Sequence, residues 1–307
     1  MVCNPFLFRI KEYSSSFLSC LYTDVVINVA RVLRHCKRTD VPFYRGCESA
    51  IMYPFAGPRD RYEGHGKRGL GEAPEEPESE LPKVQSMPAA NAIIKLAREC
   101  AEAGNKLHVI ALGPLTNLAL AALIDPSFPS LLGGCTVMGS TLECQGNTGF
   151  ASEFNFDSDP EAAQIVLSRY GPALPGGVRM MPWEMFPLTL PWADFNGIFF
   201  NDERSNELAV WFRTVFATLI SVLKRDPSHK GVYLPDPIAV LTVLHPESVK
   251  KETELYAVVE TGGRHMRGAV AYDWMRASGK KPNCTLIQEM NYDVFYNHMC
   301  RVFCKEK

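Results

Sequence analysis

The sequence predicts an α/β protein of one domain, in which a mainly parallel central sheet carries helices on both of its faces. Two observations predict this class. Short apolar runs of strand length alternate with longer segments whose apolar residues recur at every third or fourth position. Turns follow the apolar runs, as at Gly113-Pro114 after 107–112 and at Gly139 after 135–138. A chain of 307 residues is long enough to bury the core of such a domain.

Each predicted element has a local signal. Helical periodicity predicts helices that begin near residues 24, 86, 113, 159, 205 and 238. Apolar runs that end in turns predict strands at 41–46, 107–112, 135–138 and 177–181. The helix near residue 159 has the clearest start, because Asp159 is a favoured N-cap and Pro160 and Glu161 suit a first turn. In the first helix, Arg31 and Arg34 are expected to face solvent.

The two ends of the chain differ in character. Segments 255–260 and 269–273 have strand character on either side of a glycine turn, which predicts an antiparallel hairpin at the sheet edge. Residues 24–307 contain no internal repeat and no convincing domain boundary, so they are predicted to form one domain. Residues 1–23 show neither a capped helix nor clean alternation, and they are predicted to be an atypical N-terminal segment.

Charge and hydropathy restrict the classes of partner. A formal net charge of −2 and a pI near 6.4 give no basic field for nucleic acid or an anionic membrane. A small neutral ligand fits better. No run of about 18 apolar residues is present, and Arg9, Lys11 and Glu12 interrupt the apolar start that a signal peptide needs. The sequence therefore predicts a soluble, cytoplasmic protein.

The ten cysteines show no CxxC pair and no zinc-like spacing with histidine. Free thiols in a reducing compartment are the simplest interpretation. Cys300 and Cys304 lie one helical turn apart, and they are candidates for oxidation or metal capture.

Two loops follow the first predicted strand. Residues 64–71 contain four glycines but lack the Walker Lys-Ser/Thr ending, and no GxGxxG follows a first strand, which argues against a nucleotide or dinucleotide enzyme. His65, taken alone, is an ordinary loop histidine. Residues 72–80 contain five glutamates and two prolines, which predicts a mobile, solvated loop and a candidate lid.

Three polar side chains precede the helix start at Asp159. Asn147, Glu153 and Asn155 supply amide donors and carboxylate acceptors, which suit the vicinal hydroxyls of a sugar. Glu153 and Asn155 are two residues apart, so in an extended segment both would point to one face and Phe154 to the other. The alternative is an ordinary polar loop before a capped helix.

Read with Leu-Gly-Pro-Leu-Thr-Asn at 112–117 and Asp-Pro-Ile-Ala-Val at 236–240, the stretch 146–162 resembles the inosine-uridine-preferring nucleoside hydrolase family. The resemblance runs from about residue 28 to about residue 283. It implies hydrolysis of the N-ribosidic bond of purine or pyrimidine nucleosides to free base and ribose. It also implies a nucleoside-hydrolase-like fold, a calcium ion as cofactor, a nucleoside as small-molecule partner, and a homo-oligomer.

The resemblance assigns roles residue by residue. It implies that ribose is bound by Asn147, Glu153 and Asn155. It implies that calcium is bound by the carboxylate of Asp236 and by the backbone carbonyl of Leu112. His65 matches a histidine in the family's glycine-rich segment, which makes it a catalytic candidate.

The chain departs from the family pattern at its beginning. The family's aspartate cluster of the type Asp-x-Asp-x-x-x-Asp-Asp is absent, and before Asn28 the acids are Glu12 and Asp24. Arg68 stands where the family usually has an acid, and Pro235 where many members have histidine. Calcium prefers six to eight oxygens, and general-base help alone contributes about 10²–10⁴-fold in rate. We therefore expect a rate reduced by orders of magnitude, or alternatively a catalytically inactive nucleoside-binding protein or oligomer subunit. Calcium-dependent turnover separates the two.

Overall fold

The computed structural model describes residues 19–52, 63–185 and 188–306. Within these ranges the helices are α1 (Ser19–His35), α2 (Ala89–Glu102), α3 (Thr116–Ile124), α4 (Phe154–Ser158), α5 (Pro160–Tyr170), α6 (Trp192–Phe199), α7 (Glu207–Leu223), α8 (Pro235–Leu244) and α9 (Tyr292–Phe303). The strands are β1 (Leu107–Ala111), β2 (Leu132–Met138), β3 (Val178–Met181), β4 (Leu190–Pro191), β5 (Gly231–Val232), β6 (Val249–Leu255), β7 (Ala257–Val259), β8 (Val270–Tyr272) and β9 (Cys284–Met290).

The main sheet has the strand order β1-β2-β3-β9-β6. The β1-β2, β2-β3 and β3-β9 pairs are parallel, and β6 runs antiparallel to β9 at the edge. Successive residues of a strand point to opposite faces, and β2 shows this clearly. Val137 packs with α2, α3 and α5, whereas Met138 packs with α6, α8 and α9. The predicted α/β class, with a mainly parallel sheet covered on both faces, is confirmed.

The first helix begins earlier than the sequence predicts. α1 starts at Ser19 rather than near residue 24, and it packs Val26 and Leu33 against Phe43 in a small third core. The predicted strand at 41–46 is reduced to one isolated bridge between Tyr44 and Gln85. Residues 1–18 of the predicted N-terminal segment lie outside the described residues, so its separation from 24–307 stays a prediction.

Arg31 does not face solvent as the periodicity predicts. Its side chain is only 4% exposed, and its Nη2 donates to the carbonyl oxygens of Ala73 at 3.0 Å and Pro74 at 2.5 Å. Arg34 pairs with Glu76 at 3.0 Å. The acidic loop is exposed over most of its length, as predicted, but it is also bound to α1. Its mobility and its role as a lid stay predictions. Its glutamates find the arginines of α1, a long-range pairing that local composition does not reveal.

The predicted C-terminal hairpin exists, but its place differs. β7 and β8 pair antiparallel, with Val258 opposite Ala271, and they form a separate two-stranded sheet. The edge strand of the main sheet is β6, which the sequence analysis did not predict. β9 and α9 were not predicted either. The strand β9, Cys284–Met290, mixes apolar and polar residues without clean alternation.

Among the described residues, no helix combines the length and the apolar character needed to cross a bilayer.

Candidate functional site

At the carboxyl edge of the parallel sheet, one side chain contacts the ends of two strands. Asn155 donates from Nδ2 to the carbonyl oxygen of Met138 at 3.0 Å, at the end of β2. The same nitrogen lies 3.5 Å from the carbonyl oxygen of Leu112, just after β1. Open parallel sheets bind their ligands at this edge, because loops and helix starts converge there. Asn155 and Leu112, two of the predicted site residues, are therefore brought together.

Glu153 is a buried helix cap rather than part of an extended segment. It is the N-cap of α4, and its carboxylate accepts the backbone N–H groups of Asn155 at 2.9 Å and Phe156 at 3.2 Å. It also accepts the N–H of Ser140 at 3.3 Å. The predicted extended geometry is wrong, because the first turn of a helix leaves N–H groups that a carboxylate satisfies strongly.

The loop that carries Asn147 folds back on itself. Asn147 Oδ1 accepts the N–H of Phe154 at 2.8 Å, and its own N–H donates to the Ser152 carbonyl at 3.1 Å. Gly146 makes this approach possible, since a Cβ there would lie 1.9 Å from the Ser152 carbonyl oxygen. Asn147 and Glu153 are thus held on either side of Phe154, and the structure brings Asn147, Glu153 and Asn155 into one hydrogen-bonded unit.

One polar atom in this unit lacks a partner. Asn155 is 1% exposed, and its Oδ1 is buried with no hydrogen-bond donor among the described residues. Buried side-chain oxygens are nearly always hydrogen-bonded to protein or ordered water. A donor to this oxygen must therefore come from elsewhere, and a hydroxyl group is suitable.

Asp236 lies in the first turn of α8, and its charge acts on the same tyrosine, Tyr233, as the charge of Glu153. Burial raises the pKa of the Tyr233 hydroxyl, and the nearby charges of Asp236, Glu184 and Glu153 raise it further. Tyr233 also donates to the carbonyl oxygen of Trp183 at 2.7 Å, after β3. Carboxylates that follow β3, cap α4 and begin α8 therefore lie near the neutral hydroxyl of Tyr233.

Glu184 and Tyr233 are site neighbours that the sequence analysis missed. The Glu184 carboxylate accepts the N–H groups of Leu142 at 2.5 Å, Glu143 at 2.9 Å and Gln145 at 2.9 Å. It thereby shapes the loop that leads to Asn147. One signal was present, because Glu184 follows a predicted strand at its carboxyl end.

His65 is held by a different part of the fold. It ends the 3₁₀ turn Glu63–His65, which packs on α7, and its carbonyl accepts the N–H of Gly71 at 3.0 Å. Arg68 in the same loop pairs with Asp24 of α1 at 2.9 Å and with Glu75 at 2.7 Å. Asp24 thus serves a structural ion pair, and the positive charge of Arg68 is balanced locally.

The described residues do not make up a calcium site. No three His, Cys, Asp or Glu side chains converge anywhere in 19–52, 63–185 and 188–306 in the manner a metal ion requires. The Leu112 carbonyl is in contact with the Asn155 amide, and Asp236 supplies one carboxylate. Calcium needs six to eight oxygens, so one carboxylate and one carbonyl do not hold it.

Comparison with known proteins gives a consistent result. The family model for inosine-uridine preferring nucleoside hydrolase matches residues 12–297. The pyrimidine-specific ribonucleoside hydrolase RihA of Shigella flexneri is 28% identical over 273 residues, which cover 87% of this chain and 81% of the relative. RihA of Escherichia coli strain K12 has the same identity and coverage, 28% over 273 residues with 87% and 81% covered.

Solved structures agree. An inosine-guanosine nucleoside hydrolase superposes with a TM-score of 0.80 at 27% identity, covering 92% of this chain and 86% of its own. A purine-preferring ribonucleoside hydrolase from Gardnerella vaginalis has a TM-score of 0.73 at 21% identity, covering 91% and 84%, which supports the fold. The family match spans nearly the whole chain. The chain belongs to the inosine-uridine preferring nucleoside hydrolase family.

Proposed function

We propose that this chain binds a nucleoside by its ribose and hydrolyses the N-ribosidic bond, which releases free base and ribose. The buried Asn155 Oδ1 carries the proposal, because it is an acceptor at the ligand edge with no donor among the described residues. A ribose hydroxyl is such a donor. Family membership supports the reaction class, and it leaves the preferred base open.

The roles of the side chains follow from their remaining hydrogen-bonding capacity. An ionised carboxylate has about four lone-pair sites, and Glu153 uses three of them for backbone N–H groups. We propose that the same carboxylate also accepts a ribose hydroxyl. Asn147 has its Oδ1 engaged by Phe154, so the donor that it offers a hydroxyl is its amide nitrogen. Asn155 accepts through Oδ1.

The reaction itself needs water to attack the anomeric carbon while the C–N bond breaks and the base takes up a proton. Asp236 lies on the same side of the fold as Glu153, and we propose it as the acidic group nearest the reacting centre. His65 stays a predicted catalytic residue. Calcium with Asp236 and the Leu112 carbonyl also stays a prediction, since the described residues supply two of the six to eight oxygens required.

A second candidate function is nucleoside binding without turnover. One observation favours it: Glu153 is committed to capping α4, and no carboxylate cluster is present among the described residues. Losing general-base help alone costs about 10²–10⁴-fold in rate. Such a chain would serve as a binding protein or as a subunit of an oligomer.

The decisive experiment combines binding and turnover with the purified 307-residue chain. Calorimetry with inosine and uridine measures binding, and release of free base is followed with calcium and with a chelator. Asn155→Leu removes the polar atoms at similar volume, and Asn105→Leu, an exposed asparagine, is the matched control. We expect Asn155→Leu to weaken binding at least about tenfold, the loss of one 1.4 kcal/mol contact, and Asn105→Leu to leave it unchanged.

Three outcomes are distinct. Chelator-sensitive release of base supports the hydrolase and the calcium prediction together. Binding that depends on Asn155 without release supports the second candidate. A folded chain that binds neither nucleoside, or binds both equally well after Asn155→Leu, overturns the sugar site. A homo-oligomer and a cytoplasmic location are also proposed, and light scattering after gel filtration and imaging of a tagged chain test them.

A further inference from the structure

The end of α9 carries two thiols on one face. Cys300 and Cys304 are four residues apart, and the N–H of Cys304 donates to the Cys300 carbonyl at 2.9 Å, as in a regular helical turn. Both side chains are half-buried. Tyr296 lies one turn earlier on the same face of the helix, close enough to interact with Cys300. Tyr296, Cys300 and Cys304 thus follow one another along one face of the helix.

A single guanidinium contacts both thiols. Arg204 Nη2 lies 3.6 Å from Cys300 Sγ and 3.9 Å from Cys304 Sγ. Arg204 also shares a hydrogen bond with Tyr296. Positive charge beside a cysteine stabilises the thiolate, which is the form that reacts with oxidants. The cluster therefore contains the nucleophile, the cation and the second thiol that reversible oxidation requires.

The backbone fixes Arg204 against the helix end. The N–H of Lys305 donates to the Arg204 carbonyl at 2.7 Å, and the N–H of Asn206 donates to the Phe303 carbonyl at 2.9 Å. Ser205 and Cys304 form an antiparallel bridge between these two bonds. The backbone of Arg204 is thus fixed beside the end of α9, and its exposed side chain reaches both thiols from there.

The spacing also suits a disulfide. Residues four apart on a helix have Cα atoms about 6 Å apart. Disulfides form across Cα separations of roughly 4.4–6.8 Å, with Cβ atoms about 3.5–4.5 Å apart. Helical neighbours have Cβ atoms about 5–6 Å apart, so the bond requires a shift of about 1–2 Å at Cys304, which lies just beyond the end of α9. Both sulfurs also lie within 3.9 Å of the same guanidinium nitrogen. Cys144 offers a contrast, because it is exposed and follows β2 at a distance in sequence from both.

We propose that Cys300 and Cys304 are a redox modification site, a dithiol that hydrogen peroxide converts to a disulfide, reversible by reduction, at the C-terminal end of α9. The Cys300 thiolate attacks the peroxide oxygen, the O–O bond breaks, and the sulfenic acid and water form after proton uptake. The Cys304 sulfur then attacks Cys300, the S–O bond breaks, and a second water leaves. Both sulfurs are oxidised by two electrons in total, and one peroxide is reduced to two waters.

The order of attack follows from the surroundings of the two thiols. Burial raises the pKa of the Cys304 thiol, and the neighbouring Cys300 raises it further. Cys300 Sγ lies closer to the guanidinium, 3.6 Å from Nη2 against 3.9 Å for Cys304 Sγ. Cys300 is therefore the attacking residue, and Cys304 resolves the sulfenic acid.

Peptide mapping tests the site on the full chain. Hydrogen peroxide is added, free thiols are alkylated, and the protein is digested with trypsin without reduction. Cleavage after Arg301 separates the two cysteines, so the disulfide joins the peptides 281–301 and 302–305. We expect this pair in the oxidised chain and its loss on reduction. Cys300→Ser abolishes it, whereas Cys284→Ser in the same peptide, a buried cysteine of β9, leaves it intact.

The rate of pairing tests the role of the cation. Arg204→Gln is expected to slow formation of the joined peptides about tenfold, because a positive charge no longer lies beside the attacking sulfur. Arg204→Lys, which keeps the charge, restores most of the rate, and circular dichroism checks that each variant is folded. Two results overturn the proposal: a folded chain in which peroxide modifies Cys144 but never joins 281–301 to 302–305, or joining that survives Cys300→Ser.

Discussion

The carboxylate of Glu153 accepts the backbone N–H of Ser140 at 3.3 Å, so one buried side chain connects the loop after β2 to the start of α4. Ser140 is held in a left-handed conformation with φ 74°. Glu153 has the same role toward Asn155 and Phe156. The residue that the family resemblance assigns to ribose is therefore also a structural element of the site.

We predict that Glu153→Ala lowers the free energy of unfolding by about 2–4 kcal/mol, because three buried N–H groups lose their acceptor. Denaturant unfolding followed by circular dichroism measures this. Glu143→Ala is the control, since Glu143 is an exposed residue nearby and should cost less than about 0.5 kcal/mol. Equal stability of the two variants would contradict the capping role.

Gly146→Ala is expected to destabilise the chain by about 1–3 kcal/mol, the usual cost of forcing atoms into a packed region. The added Cβ would lie 1.9 Å from the Ser152 carbonyl oxygen, so the loop must open. Binding of nucleoside should weaken in parallel, because Asn147 moves with the loop. At Gly262 the nearest atom to an added Cβ lies 3.7 Å away, so Gly262→Ala should be near neutral. Thermal unfolding and calorimetry on both variants decide the matter.

Glu184→Ala tests whether the shape of the loop before Asn147 matters for the ligand. The Glu184 carboxylate accepts hydrogen bonds from three backbone N–H groups of residues 142–145. Losing these bonds should weaken nucleoside binding about tenfold, or by about 1.4 kcal/mol. Glu252→Ala, a carboxylate on the distant edge strand β6, is the control. Unchanged nucleoside affinity in a folded Glu184→Ala chain would remove Glu184 from the site.

Arg31→Met should release the acidic loop 72–80 from α1. Hydrogen bonds from a charged group are each worth about 1.5–3 kcal/mol, and Arg31 donates to the Ala73 and Pro74 carbonyls. We expect a glutamate-specific protease to cut this loop at least about tenfold faster. Arg38→Met, which disturbs an exposed local pair with Asp40, should not change the rate. Identical cleavage rates would show that the loop is free in both proteins.

His298 predicts a pH dependence of stability. Burial lowers its pKa, and the positive charges of His245 and Arg301 lower it further, while His245 itself is paired with Glu247 at 2.9 Å. The folded state then binds this proton less readily than the unfolded state. The free energy of unfolding should therefore fall as pH drops below about 6.5. In denaturant titrations from neutral to acidic pH, His298→Gln should reduce the dependence of the free energy of unfolding on pH. His229→Gln, at an exposed histidine, should leave that dependence unchanged. A steeper or equal slope in His298→Gln would reject this assignment.

Most elements with a local sequence signal are present in the fold, although the strand predicted at 41–46 is reduced to one bridge. Apolar runs and helical periodicity identified β1, β2, β3, α2, α5 and α7, and the Asp159 N-cap accepts the Ala162 N–H at 3.0 Å as expected. Family membership was predicted from three short motifs and is confirmed. These features depend on a residue and its neighbours within about one turn, so propensity and capping rules reach them.

Tertiary structure decided what depends on distant partners. Arg31 is buried because backbone carbonyl groups more than forty positions away accept its hydrogen bonds. Residues 249–255 form the strand β6 because they pair with β9 at the edge of the sheet. Glu153 became a helix cap, with its third bond from Ser140, instead of a member of an extended edge. The Asn155 amide connects the ends of two strands and leaves its oxygen for a ligand. By itself the sequence determined which polar groups were present, and the packed sheet edge determined which of them remain available, because buried N–H and C=O groups must be satisfied first.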